Sequence, residues 1–190
     1  GRLPNVGFLS VQIDSMVQTT ECRQFGEIWK RWRNTDLVPI RPSVHIEEIP
    51  KLLPFISVLD VLSRDVVKFR LVGTAFYAAT GHELTGRNFI NLTAPERREQ
   101  RKTRVEHMIA RPCGSYAVYS MVHTTGRVVP TEVLSLPVFQ KDVDAPPQIF
   151  AVSVPMEKLG KNKFDPNRNK LPASDVFQFV DIGAGIPEID

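Results

Sequence analysis

Two β-rich runs joined by three residues constrain the fold of this chain most strongly. The runs FISVLDVL and VVKFRLV are separated by residues 63–65, whose polar side chains have the length and chemistry of a tight turn. In the second run Val67, Phe69 and Leu71 alternate with basic residues, so one face is buried and the other meets solvent. The sequence therefore predicts an antiparallel pair of strands.

The remaining elements follow in a clustered order. Residues 74–92 read as short helical pieces interrupted by glycines. Thr93 and Glu96 have the spacing of a capping box around Pro95, which predicts a long helix that stops before Pro112. Three strand-like runs come next, SYAVYSMV, VVPTEVLSLPVF and QIFAVSVPM. Because the strands cluster and do not alternate with helices, we predict an α+β fold with an antiparallel sheet.

A helix predicted over residues 21–34 carries a large apolar stripe. Phe25, Ile28, Trp29 and Trp32 recur at spacings of three and four, which places them on one helix face. A stripe with two tryptophans must be covered, either by the chain's own sheet or by a second subunit. We expect the second arrangement, a dimer interface, and keep packing on the sheet as the alternative.

The chain length suits one domain with flanking segments. At 190 residues it is long enough for a substantial core and short for two ordinary domains. We predict an N-terminal extension over residues 1–20, one folded domain over 21–156 that includes the stripe helix, and a polar linker with a C-terminal docking segment over 157–190.

Composition and charge exclude several classes of protein. No apolar run approaches the roughly 18 residues of a membrane span, and the first residues do not resemble a secretory signal. The net charge of +3 and the lack of a helix-turn-helix frame argue against nucleic-acid binding. Cys22 and Cys113 lie far apart without metal-ligand spacing, so we expect reduced thiols in a cytoplasmic protein with no membrane insertion.

The element order and the central sequence resemble the PAS domain family. The segment AATGHELTGRNFINLTAPERREQ is similar to the PAS signature of a helix ending at glycine, a second glycine and a proline-acidic pair that opens the long helix. The matching positions are Gly81, Thr85, Gly86, Phe89, Pro95 and Glu96. With IWKRW, LVPIRP and FRLVGTAF, residues 21–156 resemble the small stand-alone PAS proteins of bacteria.

This resemblance implies a five-stranded antiparallel sheet with flanking helices and a cavity between the sheet and the long helix. It also implies sensing or protein–protein relay, commonly as a dimer. The side chains expected around such a cavity are Phe76, Tyr77, Phe89, Met108, Tyr119 and Met121. Aromatic and methionine side chains at these positions also suit a plain core, so the resemblance leaves open whether a ligand binds.

The resemblance also limits the cofactors. The photosensory flavin-binding branch has a reactive cysteine directly after a Gly-Arg-Asn triplet, whereas Phe89 follows that triplet here. The missing cysteine argues against covalent flavin photochemistry, whereas noncovalent flavin binding remains open. His107 lies on the long helix, from which some PAS domains ligate haem, although a lone helical histidine is more often a surface residue. We expect that no cofactor is required.

An arginine-rich run opens the long helix. Arg97, Arg98 and Arg101 are candidates for contact with an anionic ligand or an acidic partner, because guanidinium groups bind phosphate and carboxylate with two parallel hydrogen bonds. The alternative is a solvated helix face. Arg97 and Arg101 have the RxxxR spacing of one class of cyclic-dinucleotide receptor, but the companion motif of that class is missing.

No sequence motif indicates catalysis. The chain lacks a nucleophile elbow, a P-loop, an HExxH motif and a dinucleotide-binding glycine pattern. We predict a non-enzymatic sensory or regulatory module in bacterial signalling that acts as a dimer through contacts with a signalling protein. The alternatives are a receptor for a small anionic ligand such as a nucleotide, using the arginine-rich helix, and an unrecognised hydrolase.

Overall fold

The computed structural model describes residues 6–156 and 176–188, with side chains from Leu9 onward. The helices are α1 (Val6–Met16), α2 (Thr20–Arg33), α3 (Thr74–Thr80) and α4 (Arg98–Ala110). The strands are β1 (Ile56–Val61), β2 (Val67–Val72), β3 (Gly114–Val122), β4 (Val128–Val138), β5 (Gln148–Pro155) and β6 (Val176–Val180). Short 3₁₀ turns span Arg41–Ser43, Ile46–Glu48, Leu53–Phe55 and Pro95–Arg97.

The six strands in the described residues form one antiparallel sheet in the order β2-β1-β5-β4-β3-β6. The predicted β1–β2 hairpin is confirmed, with Val61 opposite Val67 and Leu62 N–H donating to Val66 O at 3.0 Å. The α+β class is confirmed as well. The sheet has six strands and not five, because β6 pairs with β3 through Val118 and Val176 at one end and Gly114 and Val180 at the other.

The two faces of the sheet pack against different helices. In β4, Leu134, Leu136 and Val138 face α1 and α2 and belong to the larger core. Val133 and Ser135 alternate with them and face α3 and the segment that leads to α4. The sheet is therefore covered on both sides, with a dense core under α2 and a less filled layer under α4.

The stripe of α2 is buried against the chain's own sheet, which corrects the expected dimer interface. Phe25, Ile28, Trp29 and Trp32 are each between 0% and 6% exposed. Trp29 Nε1 donates a 2.9 Å hydrogen bond to the carbonyl of Pro137 in β4. Because the chain itself covers these side chains, they leave very little exposed surface for a second subunit to contact.

A buried carboxylate attaches the start of α2 to the sheet. Glu132 in β4 is fully buried and accepts hydrogen bonds from Gln18 N–H, Thr19 N–H, the Thr19 hydroxyl and the Tyr116 hydroxyl at 2.6–2.9 Å. The helix N-terminus adds a favourable dipole for this anion. Burial and the Glu132 carboxylate raise the pKa of the Cys22 thiol. These bonds fix α2 on the sheet.

The extension over residues 1–20 contains a helix that the sequence patterns did not predict. Leu9, Ile13 and Val17 of this segment are buried in the larger core. Gly26 of α2 allows the close approach, since a Cβ there would lie 2.7 Å from Ile13 Cδ1. Helix α1 and strand β6 therefore add residues to the core on the face of the sheet that α2 covers.

The long helix begins differently from its prediction. Pro95–Arg97 form a 3₁₀ turn and α4 starts at Arg98, with no side-chain cap at Ala94. The prediction of a capping box at Thr93 and Glu96 is therefore wrong. The Thr93 hydroxyl instead accepts a 2.7 Å hydrogen bond from Arg101 Nη1, which ties the helix to the loop that precedes it.

Candidate functional site

A cavity of about 570 Å³ lies between the sheet and the α3–α4 side of the domain. Its floor is formed by small side chains on the inner faces of three adjacent strands, Ser57 of β1, Ser135 of β4, and Ala151 and Ser153 of β5. Residues opposite one another in an antiparallel sheet project to the same face, and Ser57 and Ser135 both pair with Ala151. Because these side chains are short, the sheet and the helices leave a space that larger residues would fill.

Four of the six residues expected around the cavity line it. Phe76 of α3, Phe89, and Tyr119 and Met121 of β3 contribute to its walls. Tyr77 is 56% exposed and does not line it. Met108 is buried in the smaller core beside α4 and is also absent from the lining.

The loop that carries Phe89 is fixed to the outer edge of β2. Gly86 N–H and Phe89 N–H donate 2.7 Å hydrogen bonds to carbonyls of β2, and the Phe69 N–H donates to Arg87 O at 3.0 Å. The Asn88 side chain accepts from Val67 N–H at 3.0 Å. Gly86 has φ = 86°, which glycine adopts without strain. Residues 87–89 are therefore held beside β2 at the edge of the sheet, and Arg87 and Phe89 line the cavity.

Arg101 belongs to the cavity wall. Its guanidinium carbon lies 4.4 Å from the Phe89 ring centroid and 5.7 Å from that of Tyr119. Together with its hydrogen bond to Thr93, these contacts hold a cation in the cavity lining, stacked on two aromatic rings.

The other cations of the arginine-rich run have different surroundings. Arg98 donates to the carbonyls of Thr93 and Asn91 at 3.0 and 3.2 Å, so it closes the preceding loop. Arg97 belongs to the 3₁₀ turn and is exposed. Arg104 lies 3.7 Å from the ring centroid of Phe177 on β6, outside the cavity lining. The structure thus separates Arg101 from the two arginines with which the sequence pattern grouped it.

Several further cavity residues were not found by sequence reasoning. They include the small residues of the floor together with Arg87 and His82. A signal for the floor does exist, because Ser135, Ala151 and Ser153 occupy inward positions of strands whose other positions are large and apolar. Arg87 and His82 carry no such periodic signal, since they lie in a loop.

His107 does not reach the cavity. Its ring packs edge-on against Phe179 of β6 with 6.3 Å between centroids, and it is absent from the cavity lining. In residues 6–156 and 176–188 no three histidine, cysteine, aspartate or glutamate side chains are grouped to hold a metal ion. Cys113 is buried, and burial raises the pKa of its thiol to about 12, which disfavours the reactive thiolate.

The family model described as PAS domain matches residues 17–153. This chain belongs to the PAS domain family. PAS domains are generally sensory modules and not enzymes, and no enzyme family is indicated.

Solved structures of low sequence identity include domains of the same kind. The LOV protein of Rhodobacter sphaeroides is 15% identical, covers 62% of this chain and 71% of its own, and has a TM-score of 0.44. A PAS domain from Colwellia psychrerythraea is 12% identical, with 60% and 98% covered and a TM-score of 0.42. A PAS domain of an HTR-like protein from Haloarcula marismortui is 18% identical, with 57% and 89% covered and a TM-score of 0.40. Comparison with curated proteins gave no match.

None of the helices in the described residues has the length and apolar character needed to span a membrane.

Proposed function

We propose that this chain is a ligand-responsive, non-enzymatic regulatory module of bacterial signalling in the cytoplasm. A small molecule occupies the cavity, and protein–protein contacts carry the signal onward. The observation that supports this proposal is the cavity itself. Its volume of about 570 Å³ lies within the range of small-molecule sites, and its wall combines aromatic side chains with a few polar groups. The two free, buried cysteines suit a reducing compartment.

The occupied cavity influences the surface through the elements that cover it. Phe76 of α3 and Phe89 of the following loop line the cavity, while Tyr77 of the same helix is exposed. A ligand that moves Phe76 therefore also moves Tyr77, the exposed aromatic residue that follows it in α3. Contacts with a signalling partner at α3 would detect that shift.

Self-association is part of the proposal and uses a surface other than the tryptophan stripe. Val122 and Val128 are opposite one another at the end of the β3–β4 hairpin and are 60% and 61% exposed. They project to the α2 side of the sheet beyond Glu132, where the pattern of alternation continues from Tyr116 and Val118. A second copy that packs against this hairpin end would cover the exposed apolar surface of both valines.

A dedicated receptor for a small anionic ligand is the second candidate function. The position of Arg101 in the cavity lining favours it. This candidate requires no protein partner, so the two functions differ in whether ligand binding leads to a contact with another protein.

Thermal unfolding in a protein-free metabolite extract of the source organism tests the proposal. A ligand that binds only the folded state raises Tm, so the extract should stabilise the native sequence. Ser135→Phe fills the cavity from its floor and should abolish the increase, whereas the matched control Ser135→Ala keeps the space and should retain it. An extract that leaves Tm unchanged in both the native sequence and Ser135→Ala would contradict a ligand-binding cavity.

A further inference from the structure

The cavity lining has a charge of one sign. Arg87 and Arg101 contribute two positive charges, Arg101 from a half-buried position and Arg87 from an exposed one. No aspartate or glutamate is among the described residues that line this cavity. Such a lining favours a ligand with negative charge and disfavours a cation.

The shape of the cavity favours a flat molecule. The middle of its floor is a stretch of sheet with the short side chains of Ser57, Ser135, Ala151 and Ser153, and the larger Leu59 and Val133 lie beside them. Aromatic side chains surround this floor, Phe69 and Tyr119 from the flanking strands β2 and β3, and Phe76 and Phe89 from α3 and the loop that follows it. Phe69 and Phe89 pack edge-to-face with 5.7 Å between centroids, which fixes the orientation of the Phe89 ring. A planar ring fits over the short side chains of the floor and among these aromatic side chains.

The orientation of Arg101 is set before any ligand binds. The hydrogen bond from Nη1 to Thr93 and the stacking on Phe89 restrict the guanidinium plane. A cation that is already oriented loses little conformational entropy when it binds an anion, so its contribution to affinity is large. Arg104 provides the contrast, because it stacks at least as closely on an aromatic ring and lies outside the cavity lining.

From these observations we infer that the cavity binds a flat aromatic molecule with one anionic group, the ring over the serine floor and the anion at Arg101. The inference rests on the proposed function, in which the cavity is occupied by a small molecule. Carboxylate and phosphate both satisfy the chemistry at Arg101, and each can be carried by a planar ring.

Three naphthalene probes test the inference by isothermal titration calorimetry. 2-Naphthoate and 2-naphthyl phosphate carry the anion, and 2-naphthamide keeps the ring and the polar group without the charge. We expect both anions to bind the native protein at least about tenfold more tightly than the amide, the amount that charge-assisted hydrogen bonds contribute. The ratio between the two anions distinguishes carboxylate from phosphate as the natural group.

Substitutions on one helix supply the matched control. Arg101→Met keeps an unbranched apolar side chain against Phe89 and should abolish the preference for the anions, whereas Arg104→Met should retain it. Arg101→Lys retains the charge without the planar group and should give an intermediate preference, which provides a second measurement should Arg101→Met not fold.

Three results would overturn the inference: equal binding of amide and anions, an undiminished preference in Arg101→Met, or no binding of any probe. The metabolite-extract experiment distinguishes failure of this inference about the ligand class from failure of the proposed function. If the extract raises Tm of Arg101→Met as much as that of the native protein, the cavity is a small-molecule site and the anionic class is wrong.

Discussion

Thr19 donates two hydrogen bonds to the same oxygen of Glu132, from its backbone N–H at 2.9 Å and from its hydroxyl at 2.6 Å. The other carboxylate oxygen accepts from Gln18 N–H and from the Tyr116 hydroxyl. All four groups that contact the buried carboxylate are donors, so both of its oxygens must act as acceptors. The position of α2 on the sheet depends on this arrangement.

Glu132→Gln should therefore destabilise the domain. The amide NH₂ would face donors that need an acceptor, which leaves buried groups unsatisfied at a cost of about 1–3 kcal/mol. Urea unfolding measures the change in the free energy of unfolding. Glu27→Gln alters an exposed glutamate on α2 and should change that free energy by less than about 0.5 kcal/mol. Equal effects of the two substitutions would show that the buried carboxylate contributes nothing specific.

The same cluster should make stability depend on alkaline pH. Burial, with the hydrogen bond to Glu132, raises the pKa of Tyr116 above its ordinary value. The native state then keeps the phenolic proton at pH values where the unfolded chain loses it. The resulting stabilisation is complete below about pH 10 and decreases as pH rises toward the native pKa.

Unfolding by urea at several pH values from about 8 to about 11 measures this loss. Tyr116→Phe should reduce the dependence on pH above about pH 10. Tyr77→Phe changes an exposed tyrosine and should leave that dependence as it is. An unchanged pH profile in Tyr116→Phe would show that Tyr116 does not cause the loss of stability at alkaline pH.

The tryptophan stripe should contribute to stability and not to oligomeric state. Trp29→Ala removes a fully buried ring and its hydrogen bond to Pro137, at a cost of about 3–5 kcal/mol. Tyr77→Ala truncates an exposed aromatic side chain and should cost little. Thermal unfolding and native mass spectrometry give the two readouts. A folded Trp29→Ala protein that only loses self-association would support the interface that the structure corrects.

Local patterns predicted most of the fold, while features that depend on distant contacts were missed. The β1–β2 hairpin is encoded by alternation and a short turn, which sequence reasoning detects well. Helix α1 was not predicted because its apolar residues do not keep to one face: Leu9 and Ile13 are buried, whereas Val11 between them is 66% exposed. Strand β6 could not be assigned from its own sequence, since its pairing with β3 is a tertiary choice.

The site was predictable in part for a similar reason. Large aromatic residues drew attention to Phe76 and Phe89, and the resemblance to PAS domains gave their position. The small residues that create the cavity are defined by the space they leave, which requires the sheet register to be known. The role of Arg101 depends on the 3₁₀ turn at Pro95–Arg97, which separates it from Arg97 despite the regular spacing.

The exposed valine pair should mediate self-association. Val122→Lys introduces a charge at the end of the β3–β4 hairpin and should shift the protein toward monomer, measured by light scattering after gel filtration. Val143→Lys is the control, because Val143 is 94% exposed and lies in the β4–β5 connection. A dimer that survives Val122→Lys, or a native protein that is monomeric at all concentrations tested, would rule out this surface.

The central claim is that a small molecule occupies the cavity above Ser135, Ala151 and Ser153. Native mass spectrometry of the chain purified from its source organism tests it most directly. We predict one additional small-molecule mass per chain that is lost on denaturation, retained in Ser135→Ala and missing from Ser135→Phe. Bare polypeptide mass in the native sequence and in Ser135→Ala, or the same additional mass in Ser135→Phe, would contradict the claim.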